Sequence, residues 1–208
     1  MLNKVISFQM RKAEDWFGPD IVLQADEAVL IDSLGINGNH YILFVGAGNN
    51  HMPLVSCAIR GAKVDVVQPE FGYFGSQTGQ LEHWIENEKK MMIVSLGEDL
   101  IKGRINVRKH VGTIETFKPN LKLYSHVFLL NVLDSNEGSD NFYQICDSVF
   151  SHLKPNSQII VSAISDYAIN IAEKISNYAK KLKIDNRMER VFIFKDLHSV
   201  YSINIRMG

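Results

Sequence analysis

Short apolar runs alternate with longer amphipathic stretches along this chain. Tyr41–Val45 (YILFV) is apolar throughout and ends at Gly46-Ala47-Gly48. Lys63–Val67 (KVDVV) closes at Gln68-Pro69, and Ile105–Val111 (INVRKHV) alternates, with Ile105, Val107 and Val111 apolar. His126–Leu130 (HVFLL) is almost wholly apolar. Gln158–Ala163 (QIIVSA) follows a Lys-Pro-Asn turn at Lys154–Asn156. Runs of this length predict strands buried on both faces of a parallel sheet.

Helical spacing fills the intervals. Pro53 to Arg60 predicts a helix, with Pro53 suited to its first turn and Gly61 to its C-cap region. Phe142 to Leu153 sets Phe142, Ile145, Val149 and Phe150 on one face. Tyr167 to Leu182 does the same with Ile171, Ile175, Tyr178 and Leu182. Asp26 to Leu34 predicts a helix before the first strand, and Gln77 to Val94 a long one. At its end, Met91–Leu96 (MMIVSL) fits a strand equally well.

The alternation breaks at the end. Arg190–Lys195 (RVFIFK) and Val200–Arg206 (VYSINIR) are β-like runs, and the gap Asp196–Ser199 is too short for a crossover helix. These two strands must be antiparallel. The expected fold is therefore α/β: three layers, doubly wound, with a mostly parallel seven-stranded sheet and an antiparallel C-terminal hairpin strand. One domain is expected over residues 1–208, with 1–25 as an N-terminal arm and 26–208 as the Rossmann-like core.

Composition narrows the function. Lys plus Arg is 22 against 23 Asp plus Glu, a net charge of -1, which lacks the basic excess of nonspecific nucleic-acid binders. Neither Cys57 nor Cys146 belongs to a C-x-x-C, so two buried free thiols are expected rather than a disulfide or zinc site. No signal peptide or membrane-length apolar run is evident, so a cytoplasmic protein is expected. The seven histidines show no H-x-x-x-H spacing, so no metal is expected. Neither G-x-S-x-G nor a Walker-type loop occurs, which argues against serine hydrolases and P-loop nucleotidases. The run Lys174 to Arg190, with Lys180, Lys181, Lys183 and Arg187, reads as a solvated basic helix, or less readily as a contact for an anionic partner.

The stretch YILFVGAGNNHM carries the most chemistry. A strand feeds Gly46-Ala47-Gly48-Asn49 and then a helix. Glycine lets a nucleoside lie against the backbone, and the helix start supplies free N–H donors. The third glycine of a dinucleotide fingerprint would fall at His51, which counts against an NAD reading.

The order of these segments resembles the class I S-adenosylmethionine (SAM)-dependent methyltransferases. VGAGNN, the helix ending Arg60-Gly61-Ala62-Lys63 and the strand VDVV match the first two cofactor motifs in placement. HVFLLNVLD resembles the fourth strand and its ligand loop. FSHLKPNSQIIVSAI resembles the family's turn before the fifth strand, and the hairpin its reversed last strand. The likeness spans Asp26 to Met207. It implies SAM as cofactor, with contacts at Gly46, Ala47, Gly48, Asn49, Gln68, Pro69, Glu70, Thr113, Ile114 and Asn131. His51, Tyr73 (in FGYFG) and Asp134 are the candidate substrate contacts at the same sheet edge, and no catalytic residue is singled out.

Three acids usual in the family are replaced. Phe44 stands two before the first glycine, Gln68 where an acid holds the ribose, and Thr113 where an acid meets the adenine amino group; Asn50 replaces the third glycine. Gln68 and Thr113 still hydrogen-bond, but without the charge-assisted strength of a carboxylate. The resemblance, with these replacements, implies a SAM-dependent methyltransferase that binds its cofactor more weakly than the family norm, or a different ligand, or none. NVLD stands where base-amino methyltransferases carry an Asn/Asp-Pro-Pro-aromatic motif, so a small-molecule or protein substrate is expected rather than nucleic acid. The alternatives are a non-catalytic methyltransferase-like binding domain and another nucleotide- or NAD-linked enzyme. Phe44 or Phe71 filling the cofactor cleft would favour the non-catalytic reading.

Overall fold

The computed structural model describes residues 30–31, 33–46, 52–68, 106–118, 124–130, 141–163, 167–193 and 199–206. The strands are β1 (Tyr41–Val45), β2 (Lys63–Gln68), β3 (Asn106–Val111), β4 (Tyr124–Leu130), β5 (Leu153–Ala163), β6 (Asp185–Ile193) and β7 (Ser199–Arg206). The helices are α1 (Met52–Ile59), α2 (Asn141–Ser151) and α3 (Tyr167–Lys181). The expected helix at 77–94 and arm at 1–25 lie outside the described residues.

The strands form one sheet in the order β3-β2-β1-β4-β5-β7-β6. β1 pairs with β4 in parallel, Leu43 opposite Val127, and β4 pairs with β5 in parallel, Val127 opposite Ile159. β7 runs antiparallel to both β5 and β6. The expected mixed sheet and reversed last strand are therefore present. The order turns back between β1 and β4, and open α/β sheets bind ligands beyond the carboxyl ends of the strands at such a switch point.

Three local expectations are corrected. β5 begins at Leu153 rather than Gln158 and carries the Lys-Pro-Asn turn inside it. Register jumps from Tyr124↔Leu153 to His126↔Gln158, and Asn156 takes φ 58, so this stretch is an irregularity within the strand. β6 starts at Asp185, because an edge strand accepts polar residues. The basic run is thus not one helix: α3 stops at Lys181, Arg187 lies on β6, and Leu182 is exposed.

The described residues group into two compact units. Residues 30–39, 52–64 and 106–107 form one; 40–46, 65–68 and the described residues from 108 onward form the other. In the first, α1 closes through Gly61: its N–H donates to the Ala58 carbonyl (2.9 Å) and that of Ala62 to Cys57 (3.2 Å). Gly61 has φ +85, and a Cβ there would stand 3.4 Å from Gly38 Cα, so glycine is required. In the second, α2 buries Phe142, Ile145, Cys146, Val149 and Phe150, and α3 buries Ile171 and Ile175. They join Leu43, Val127, Ile159 and Ile203 of the sheet in one core. Each large apolar side chain so buried contributes about 1.5–3 kcal/mol.

Candidate functional site

The apolar run of β1 ends at Gly46, which takes φ 68, a conformation that costs other residues about 1–2 kcal/mol. Its N–H donates to the Val67 carbonyl at 2.8 Å. Next along the sheet, the Gly112 N–H donates to the Gln68 carbonyl at 2.8 Å. Gly112 has φ +144, and a Cβ there would meet Thr116 Oγ1 at 3.1 Å. The chain then folds into a tight turn. Thr116 donates its N–H and its hydroxyl to the Thr113 carbonyl (3.1 and 3.0 Å), and the Phe117 N–H donates to the Ile114 carbonyl (3.3 Å). Ile114 and Phe117 are buried beneath the turn, while Thr113 is exposed.

The ends of β1, β2 and β3 therefore bring Gly46, Gln68 and the turn carrying Thr113 and Ile114 to one edge. Gln68 Oε1 is buried there, and no donor among the described residues reaches it. A buried acceptor left unpaired costs about 1–3 kcal/mol, and a hydroxyl donor at this edge would satisfy it. A ribose hydroxyl is such a donor, and these residues fit a nucleoside cofactor. The other sequence candidates, Ala47, Gly48, Asn49, His51, Pro69, Glu70, Tyr73, Asn131 and Asp134, lie outside the described residues. Phe44 stacks on Phe128 with ring centroids 4.5 Å apart and is a core residue; Phe71 lies outside the described residues.

A second polar group lies lower on the same strands. Asp65, in the middle of β2, has a side chain only 2% exposed. Arg108 donates to it from Nε (2.7 Å to Oδ1) and Nη2 (2.6 Å to Oδ2). Tyr124 donates its hydroxyl to Oδ2 at 2.6 Å, and His110 Nε2 lies 3.1 Å from Oδ1. Burial, then the bond to Asp65, pushes the Tyr124 hydroxyl far above its ordinary pKa. The His110 ring lies edge-on to Phe117, centroids 4.6 Å apart. The sequence signal for this group is an acid inside the apolar run KVDVV, facing Arg108 and His110 two apart on an alternating strand. Such a signal names no partner, because Tyr124 lies 59 residues from Asp65.

The thiols of Cys57 and Cys146 are free and buried, as expected, and burial pushes Cys146 up to about 12. Among the described residues, no three His, Cys, Asp or Glu side chains converge as a metal site would need. Nor is any described helix long and apolar enough to cross a membrane.

No protein-family model and no curated protein matches the sequence. Solved structures do match in fold. The N-methyltransferase NodS from Bradyrhizobium japonicum WM9, in complex with S-adenosyl-L-homocysteine, superposes with a TM-score of 0.61 at 10% identity, covering 99% of this chain and 100% of that one. A methyltransferase from Pyrococcus furiosus gives 0.58 at 12%, covering 99% and 98%. The precorrin-6y C5,15-methyltransferase from Geobacter metallireducens GS-15 gives 0.51 at 15%, covering 88% and 87%. The fold is that of the class I methyltransferases. In that fold Gly46 follows β1 beside the strand-order switch, and Gln68 and Thr113 stand at the same strand ends on β2 and after β3.

Proposed function

We propose that this chain is a SAM-dependent methyltransferase acting on a small molecule or, less directly, on a protein. One observation carries the proposal: Oε1 of Gln68, at the carboxyl end of β2, is buried with no donor among the described residues, one residue on from the Val67 carbonyl that accepts from Gly46. An acceptor in that position suits a cofactor ribose hydroxyl. Gly46 gives the nucleoside access to the backbone, and the turn at Thr113 offers its exposed hydroxyl to the adenine. Phe44, packed on Phe128, leaves the first acid's place without a polar contact. When bound, SAM supplies a methyl group on a sulfonium for in-line displacement. The chain's own part is then to bind and orient, which needs no fixed triad.

The substrate proposal rests on NVLD at Asn131–Asp134, which lacks the base-amino signature, and on the near-zero net charge. Two buried free thiols suit a reducing compartment, and we place the protein in the cytoplasm. Mass spectrometry of ligands that co-purify with the full chain tests the proposal. SAM or S-adenosylhomocysteine in the released fraction supports it. A nicotinamide or phosphate-bearing nucleotide in that fraction would redirect the function to another α/β class.

A further inference from the structure

We propose that Asp65 is a positioning residue for the cofactor edge, acting through His110 and Arg108 rather than on the ligand. The inference rests on the methyltransferase reading for its functional consequence, but its structural half stands alone. Asp65 and Gln68 share β2, three residues apart, or roughly 10 Å along a strand. Arg108 and His110 lie four and two residues before Gly112, on the same face of β3, since alternate residues of a strand share a face. Among the described strands β3 stands at the edge of the sheet, held there by β2.

Two routes connect Asp65 to the turn. The first is the ladder: the Arg108 fork seizes Asp65, and further up, Gly112 hands its N–H to the Gln68 carbonyl. The second is a chain of side chains. Asp65 Oδ1 meets His110, His110 packs edge-on against Phe117, and Phe117 closes the turn by donating to the Ile114 carbonyl. Tyr124 fixes the carboxylate from β4, so it cannot follow β3 if that strand shifts. A buried carboxylate with partners from two other strands is a fixed point in a low-dielectric setting, where each bond is strong. Such a point holds Thr113 and Ile114 at a constant distance from Gln68. Positions held by chance lose affinity when they drift by about an ångström.

The test uses Asp65→Asn, which keeps the shape and removes the charge, with His110→Ala as the variant that spares the ion pair. Hydrogen exchange is read at 20 °C on folded protein. The Gly112 and Phe117 amides should exchange about tenfold faster or more, while the α2 amides keep their wild-type rates. Unchanged exchange at Gly112 and Phe117 in both variants would overturn the proposal. Titration with S-adenosylhomocysteine then reads the functional half. Thr113→Ala should weaken binding several-fold in wild type and have almost no further effect beside Asp65→Asn. Additive losses would mean that Asp65 supports stability alone. Absent binding by wild type, with faster exchange in the variants, would keep the positioning network and remove the cofactor reading.

Discussion

His40 and His126 meet edge to face, ring centroids 4.9 Å apart and planes at 85°. His126 is buried, and its Nδ1 lies 3.0 Å from Ser125 Oγ. Burial, then His40, then Lys154 hold its pKa down at about 4, against an ordinary 6.5. His40 is lowered by burial and by Lys154. Both rings are therefore neutral in the fold at pH 7.

A pH dependence of stability follows. The unfolded chain takes up a proton at His126 near pH 6.5, which the folded chain refuses until about pH 4. The contribution is thus full well above pH 6.5 and falls as the pH drops through 6.5 toward about 4. Between pH 6.5 and pH 5 the loss from His126 should be about 1.5 kcal/mol. Urea midpoints at the two pH values measure it. His126→Asn should remove most of that slope, and a variant as steep as wild type would assign it elsewhere.

The Asp65 group predicts an order of stability losses. Arg108→Ala leaves a buried carboxylate with two partners. The cost should be about 2–3 kcal/mol, below that of a fully buried pair because Arg108 is 47% exposed. Tyr124→Phe removes one buried donor and should cost about 1–2 kcal/mol. Chemical denaturation of both variants checks the ranking, and equal, negligible losses would contradict it.

The helix ends predict opposite responses to glycine. α3 closes as α1 does: the Lys183 N–H donates to Lys180 (2.9 Å) and that of Ile184 to Ala179 (2.9 Å). Here, however, the left-handed position holds Lys183, at φ 61. Lys183→Gly should therefore stabilise the protein by about 1 kcal/mol, while Gly61→Ala should destabilise it by at least that much. Melting temperatures rising for the first and falling for the second would agree.

The strands were legible in the sequence where burial on both faces makes the pattern continuous, as in YILFV. The reversed hairpin was legible because a short gap permits no crossover. Gly61 was legible because a helix end requires its backbone freedom. The first half of β6, Asp185 to Glu189, was not, because it is largely polar at a sheet edge and resembles a helix surface. The Asp65 group was not, because its partners lie 43 to 59 residues away and only the sheet order brings them together. Of the candidate site, the loop glycine and the replaced acid at Gln68 could be read from the chain. That Gln68 Oε1 would be buried without a donor among the described residues could not.

Isothermal titration with S-adenosylhomocysteine tests the cofactor claim most directly. Wild type should bind saturably, Gln68→Ala about tenfold more weakly, and Gln68→Glu about tenfold more tightly, because a carboxylate makes charge-assisted bonds to the ribose. No heat from wild type or Gln68→Glu at millimolar ligand would contradict the account.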